Sequence, residues 1–203
     1  MAQYHIIGKR GAGSLIAEFL LVEAGQPYDI TFMELTDIQS PAFRQVNPLG
    51  KIPLLRCPDG TEIAETMAIV AYLIETYPQL APDSGTPARA CHWQYLAMLA
   101  TGIYPAYHRQ HHTHYYVDEA GFADVKARAK AEQAPLYDYI EGLLHPYLCG
   151  DTVTAADFYL YMLTRWDLDR AGLRNGRPKL TAFMELMRAH DSVARVIANQ
   201  KRS

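Results

Sequence analysis

Three short runs in this chain stand out by residue type and spacing, and the first two combine groups that can hold a small charged molecule. The first is Asn47-Pro48-Leu49-Gly50-Lys51-Ile52-Pro53. A proline at the start of a strand has no N–H, and a cis bond before it would turn the backbone of Ile52 outward. The N–H and C=O of Ile52 could then pair with an extended peptide, as an added strand would. The same pattern also suits an edge-strand proline with no ligand. The second run, Ala64-Glu65-Thr66-Met67, falls at a strand-to-helix junction. A helix start offers unpaired N–H groups and the positive end of a dipole. There the hydroxyl and N–H of Thr66 can hold a carboxylate, and the Glu65 side chain can accept from an ammonium. Together they suit a free α-amino-acid end, which carries both charges; plain N-capping is the alternative. The third run, Val153-Thr154-Ala155-Ala156-Asp157-Phe158, has capping-box spacing, with Val153 placed to staple onto Phe158. Its role is structural, and losing the Thr154 cap should cost ~1 kcal/mol.

These runs need elements to position them. Residues 3–8 read as a strand ending at Gly8, followed by the loop Lys9-Arg10-Gly11-Ala12-Gly13. Leu15, Ile16, Phe19 and Leu20 then keep helical spacing until Gly25. Tyr28, Ile30 and Phe32 alternate with Asp29, Thr31 and Met33, a second strand that should lie parallel to the first. Residues 36–50 read as irregular. Ile52-Pro53-Leu54-Leu55 is a third strand, and Pro58-Asp59-Gly60 turns it into Glu62-Ile63-Ala64. Glu65 through Tyr77 is helical. The order βαβ then ββα is that of a minimal thioredoxin-like α/β domain, placed at residues 1–78. Residues 79–87, rich in proline and small polar residues, read as a linker. The remainder, 88–203, reads as an all-α helical domain with helices over 88–110, about 118–145, 154–169 and 178–198. Pro105 and Pro135 should kink or split two of these.

With 203 residues, 49% of them hydrophobic, the chain has ample material for two small domains. A net charge of −3 argues against a nucleic-acid partner. No apolar stretch approaches the ~18 residues of a membrane span, and the N-terminus does not read as a signal peptide. Cys57, Cys91 and Cys149 are odd in number and widely spaced, which suits reduced thiols in the cytoplasm.

The run Asn-Pro-Leu-Gly-Lys-Ile-Pro, the Glu-Thr pair a dozen residues on and the Thr-Ala-Ala-Asp box together resemble the cytosolic glutathione S-transferases of bacterial type. Phe43 before Asn47 and Glu23-Ala24-Gly25 closing the first helix fit as well. The resemblance covers nearly the whole chain. It implies the glutathione transferase fold, with Ile52 pairing through its backbone with the cysteinyl part of glutathione beside a cis Pro53. Glu65 and Thr66 would hold the γ-glutamyl end, and Lys51 either contacts the glycyl carboxylate or is solvated. It further implies glutathione as co-substrate, a homodimer, and a detoxifying transferase acting on small hydrophobic electrophiles.

The chain departs from that family at the thiolate. A free thiol has a pKa near ~8.5, so only a few per cent is ionised at neutral pH. In the family a Tyr, Ser or Cys near the end of the first strand favours the thiolate. Here the tyrosine position reads as Ile6 and the cysteine position as Gly13. Ser14, helped by Arg10 and the helix dipole, is the nearest hydroxyl; it donates to the thiolate or merely caps the helix. Tyr4 lies a turn too early. A mixed disulfide on the protein needs a thiol that Gly13 lacks. The acceptor pocket is expected between residues 8–13 and the first long helix of the second domain, where Tyr104, Tyr107 and His108 would line it beside Arg109. Packing between helices is the alternative for these aromatics. His108, His111, His112 and His114 have no nearby carboxylate until Asp118, so no metal site is expected. Two other functions stay open on this scaffold: a non-catalytic binding or regulatory module, and a glutathione-dependent isomerase, etherase or peroxidase.

Overall fold

The computed structural model describes residues 3–202, the side chain of Arg202 excepted. One compact unit gathers the described residues up to Leu80 with those from Arg188 onward; the other runs Ala81–Met187.

In the first unit, β1 (Tyr4–Gly8), α1 (Leu15–Glu23) and β2 (Tyr28–Phe32) form the βαβ segment, the strands parallel from Tyr4↔Tyr28 to Gly8↔Phe32. Residues 36–50, read as irregular, instead contain two short helices, α2 (Leu35–Ile38) and α3 (Pro41–Val46). The Ser40 hydroxyl accepts from the Phe43 N–H at 3.2 Å and Pro41 occupies the first turn, so α3 has a proper start. Both helices are too short to carry a period that the sequence could display. β3 (Leu54–Arg56) and β4 (Glu62–Ala64) make the hairpin, and α4 (Thr66–Thr76) follows. Sheet order is β2-β1-β3-β4, with β3 antiparallel to both neighbours. α1 is buried from Leu15 to Leu21 and packs against α4. Each fully buried Leu or Ile side chain there stabilises by roughly 1.5–3 kcal/mol.

The second unit is helical among its described residues, apart from an isolated bridge between Tyr147 and Gly150. α5 (Pro87–Met98) runs into a single π-helical turn, Leu99–Ile103, and then α6 (Tyr104–His111). The interruption precedes Pro105, which has no N–H to return to the preceding turn. α7 (Phe122–Leu143) continues through Pro135 without a break. α8 (Ala155–Thr164) is buried along its whole length. The Asp157 carboxylate accepts from the Thr154 N–H (2.8 Å), the Thr154 hydroxyl (2.7 Å) and the Leu148 N–H (2.8 Å). Thr154 therefore donates inward to Asp157, whose carboxyl burial pushes up to about 6. α9 (Arg170–Arg174) and α10 (Pro178–Ala189), up to Met187, complete this unit. The expected helix over 178–198 is two: after His190 the chain starts α11 (Asp191–Arg202), which returns to the first unit and packs on α1.

Candidate functional site

The antiparallel register of the hairpin determines what meets at the end of the sheet. Leu54 pairs with Ala64, so the next positions outward, Pro53 and Glu65, face one another across the β3–β4 end. Ile7 pairs with Leu54, so Gly8 lies beside Pro53 at that same end. The two runs singled out in the sequence and the β1–α1 loop thus share one edge of the sheet.

The Ile52–Pro53 bond is cis. The side chain of Ile52 packs against a cluster of Ile7, Ile38, Phe43 and Leu54, while its backbone precedes the first ladder residue of β3. Asn47, nearly fully buried, holds the approach to this point. Its Nδ2 donates to the Lys51 carbonyl at 2.7 Å, and its Oδ1 accepts from the Leu49 N–H at 3.2 Å. Gly50 completes the turn at φ 58, where a Cβ would lie 2.9 Å from the Arg44 guanidinium carbon. The Asn47 side chain thus fixes the backbone leading to Ile52, a role that its place in the proline run does not disclose. Lys51 is exposed.

At the start of α4, Glu65 has φ 67 and ψ 122, the single positive φ outside glycine among the described residues. Such backbone costs on the order of 1–3 kcal/mol and persists only where the surroundings enforce it. The Glu65 side chain is exposed and makes no capping bond, so plain N-capping does not account for it. Thr66, nine-tenths buried, follows as the first helical residue. A carboxylate reaching out beside a helix start is the donor-and-acceptor pair that a zwitterionic α-amino-acid end requires.

The β1–α1 loop closes the third side. Ser14 is fully buried, and its hydroxyl donates to the Lys9 carbonyl at 3.1 Å without capping α1. Gly8 makes room for it: a Cβ there would sit 2.4 Å from the Ser14 Cβ and Oγ. Arg10 donates to the Gln200 carbonyl at 2.8 Å and lies over the Phe32 ring at 4.1 Å.

The glutathione S-transferase N-terminal-domain model matches residues 14–76, and the C-terminal-domain model of the same family matches residues 97–191. The chain belongs to the glutathione S-transferase family. It is 29% identical over 191 residues to glutathione S-transferase GST-4.5 of Xanthomonas campestris, covering 91% of this chain and 93% of that protein. A probable maleylacetoacetate isomerase of Caenorhabditis elegans is 30% identical over 135 residues, 62% of each chain. Among solved structures, a glutathione transferase homologue from Sulfitobacter with bound glutathione superposes with a TM-score of 0.87 at 26% identity, over 98% of this chain and 99% of that one.

The helical half of the transferase holds the other sequence candidates. Tyr104 is half-buried, its ring edge-on to Trp166 at 5.0 Å. Tyr107 is enclosed: its hydroxyl donates to Asp167 at 2.8 Å and lies 2.9 Å from the Tyr137 hydroxyl. Burial holds its phenol far above the usual range. His108 is half-buried, with Nδ1 2.7 Å from the Tyr116 hydroxyl, and Arg109 is ion-paired with Glu132. His112 and His114 interleave with Tyr115 in a run of close ring contacts. Cys57 is buried, Cys91 exposed and Cys149 half-buried; burial pushes the Cys149 thiol up to about 11. Among the described residues, no helix is long and apolar enough to cross a membrane.

Proposed function

We propose that this family member is a glutathione transferase that joins the glutathione sulfur to an electrophilic carbon of a small apolar substrate. One observation carries the reading: Glu65, at φ 67, is brought by the hairpin register opposite the cis Pro53. An exposed carboxylate held in costly backbone, beside a strand end and a helix start, suits a ligand with a peptide backbone and an ammonium. The Ile52 backbone would pair with the cysteinyl residue, Glu65 and Thr66 would hold the γ-glutamyl end, and Lys51 would meet the glycyl carboxylate. The thiol gives up its proton to solvent. Its sulfur then forms the C–S bond as the leaving group departs with the electron pair. The protein supplies position and a positive potential.

Arg10 and Ser14 are the candidates for that potential. For Ser14 to donate to sulfur, its proton must leave the Lys9 carbonyl, so the larger share falls to Arg10 and the start of α1. Tyr104 and His108 are the candidates for contact with the electrophile. A homodimer in the cytoplasm with a role in detoxification belongs to the same proposal.

The test compares glutathione with cysteinylglycine, which lacks the γ-glutamyl group, in thioether formation on a chloronitroarene. The proposal expects kcat/KM to fall at least tenfold for the dipeptide; equal values would overturn it. A second reading, isomerisation with glutathione regenerated each turnover, draws on the Caenorhabditis elegans relative. It predicts release of unaltered glutathione from a maleyl-type substrate.

A further inference from the structure

We infer that Gln200 is a positioning residue for the thiolate-stabilising loop, a role that rests on the glutathione transferase reading above. Gln200 lies near the end of α11, 189 positions after Gly11, and the fold uses three of its groups at once. Its backbone carbonyl accepts from Arg10 Nη1 at 2.8 Å. Its Oε1 accepts from the Gly11 N–H at 3.0 Å. Its Nε2 donates to Glu18 Oε1 at 2.6 Å. The orientation of the amide follows from the Gly11 N–H, which can only donate and so faces Oε1, leaving Nε2 toward Glu18.

The chain of bonds continues inward. Glu18 is 1% exposed on α1, and its second oxygen accepts from the Tyr28 hydroxyl at 3.1 Å. Tyr28 lies on β2, and Arg10 rests over Phe32 at the other end of that strand. The side-chain amide of Gln200 thus ties the loop between β1 and α1 to a buried carboxyl that is anchored on a third element. A loop carrying Gly11 and Gly13 has little stiffness of its own. Held this way, the Arg10 charge and the first turn of α1 keep one position at the end of the sheet. The ligand grips at Ile52, Glu65 and Thr66 make no use of the tie. Cutting it should therefore change the ionisation of a bound thiol and leave ligand affinity in place.

The experiment measures the thiol pKa of bound glutathione from thiolate ultraviolet absorbance against pH. Glutathione affinity is measured by calorimetry on the same proteins. Gln200→Met keeps volume and helix propensity while removing both amide ends; Gln200→Glu keeps an acceptor for the Gly11 N–H. The wild type is expected to hold the thiol below its free value. Gln200→Met should raise it by at least ~0.5 unit, a roughly threefold loss of thiolate, with the dissociation constant within twofold of wild type. Gln200→Glu, which sets a second carboxyl against Glu18 Oε1 and adds a negative charge beside the loop, should raise it at least as far. A thiol pKa in Gln200→Met equal to wild type overturns the inference, as does a parallel loss of affinity and ionisation in both variants. Should Gln200→Met fail to fold, Gln200→Ala decides by the same criterion, a raised thiol pKa with affinity kept. No glutathione binding by wild type would instead overturn the parent reading.

Discussion

Replacing Glu65 by glycine should make the ligand-free protein more stable and markedly weaken its hold on glutathione. Glu65 sits at φ 67, and a non-glycine residue in such backbone costs about 1–3 kcal/mol. Glycine adopts it freely, but its looser unfolded chain takes back about 0.4–1 kcal/mol. The side chain is exposed and holds no capping bond, so little else is lost. The net expectation is a gain of about 1 kcal/mol without ligand. Glutathione loses a charge-assisted hydrogen bond, about 1.5–3 kcal/mol, or roughly 10- to 100-fold in affinity. Urea unfolding should show a higher midpoint at unchanged slope, and calorimetry should show the weaker binding. At saturating glutathione the order reverses, because the ligand stabilises the wild type by about 1.4–2.7 kcal/mol more than the variant. Destabilisation of the ligand-free variant by more than 1 kcal/mol, or affinity within twofold of wild type, would refute the idea that backbone strain at this residue serves ligand capture.

Burial pushes the Glu18 carboxyl up to about 7, opposed by its bonds from Tyr28 and Gln200 and by Arg10. A raised acid contributes stability that is fully present below its unfolded value of 4.5 and is lost as pH rises through 7. Glu18→Gln should therefore be more stable than wild type at pH 8 relative to pH 4, by up to ~3 kcal/mol in urea titrations. His92 runs the other way. It is fully buried with neither ring nitrogen hydrogen-bonded, and burial, with Arg89 nearby, pushes it down to about 4. Its contribution is present above pH 6.5 and is lost as pH falls through 4, so His92→Leu should shift the midpoint of acid unfolding to lower pH. For the thiolate, Arg10→Ala should raise the pKa of bound thiol by about one unit, and Ser14→Ala by less. The reverse ranking would show that the Ser14 hydroxyl leaves Lys9 to serve the sulfur.

The sequence made the sheet legible because each strand declared itself locally. Tyr28, Ile30 and Phe32 alternate with polar residues, and they appear in β2 as alternating half-buried and exposed positions. The proline run and the Glu-Thr pair were visible for the same reason: each is a contiguous motif at an element boundary. α2 and α3 were not, since each spans less than two turns and is fixed by the Ser40 cap and by burial of Ile38 and Phe43. The break between α10 and α11 at His190 carries no proline or glycine to announce it. Tyr107 lies beside Tyr104 and His108 in the sequence, and only the fold turns it inward onto Tyr137 and Asp167. Gln200 meets Gly11 and Glu18 through pairings 189 and 182 positions apart. No local pattern records such contacts.

The zwitterion clasp at Pro53 and Glu65 is tested most directly by calorimetric titration of glutathione into the wild type and into Glu65→Gln, which keeps the side-chain shape but removes the charge. One glutathione per chain, bound at least tenfold more weakly by the variant, is the predicted result. Equal affinities for the two proteins, or no heat from the wild type, would contradict it.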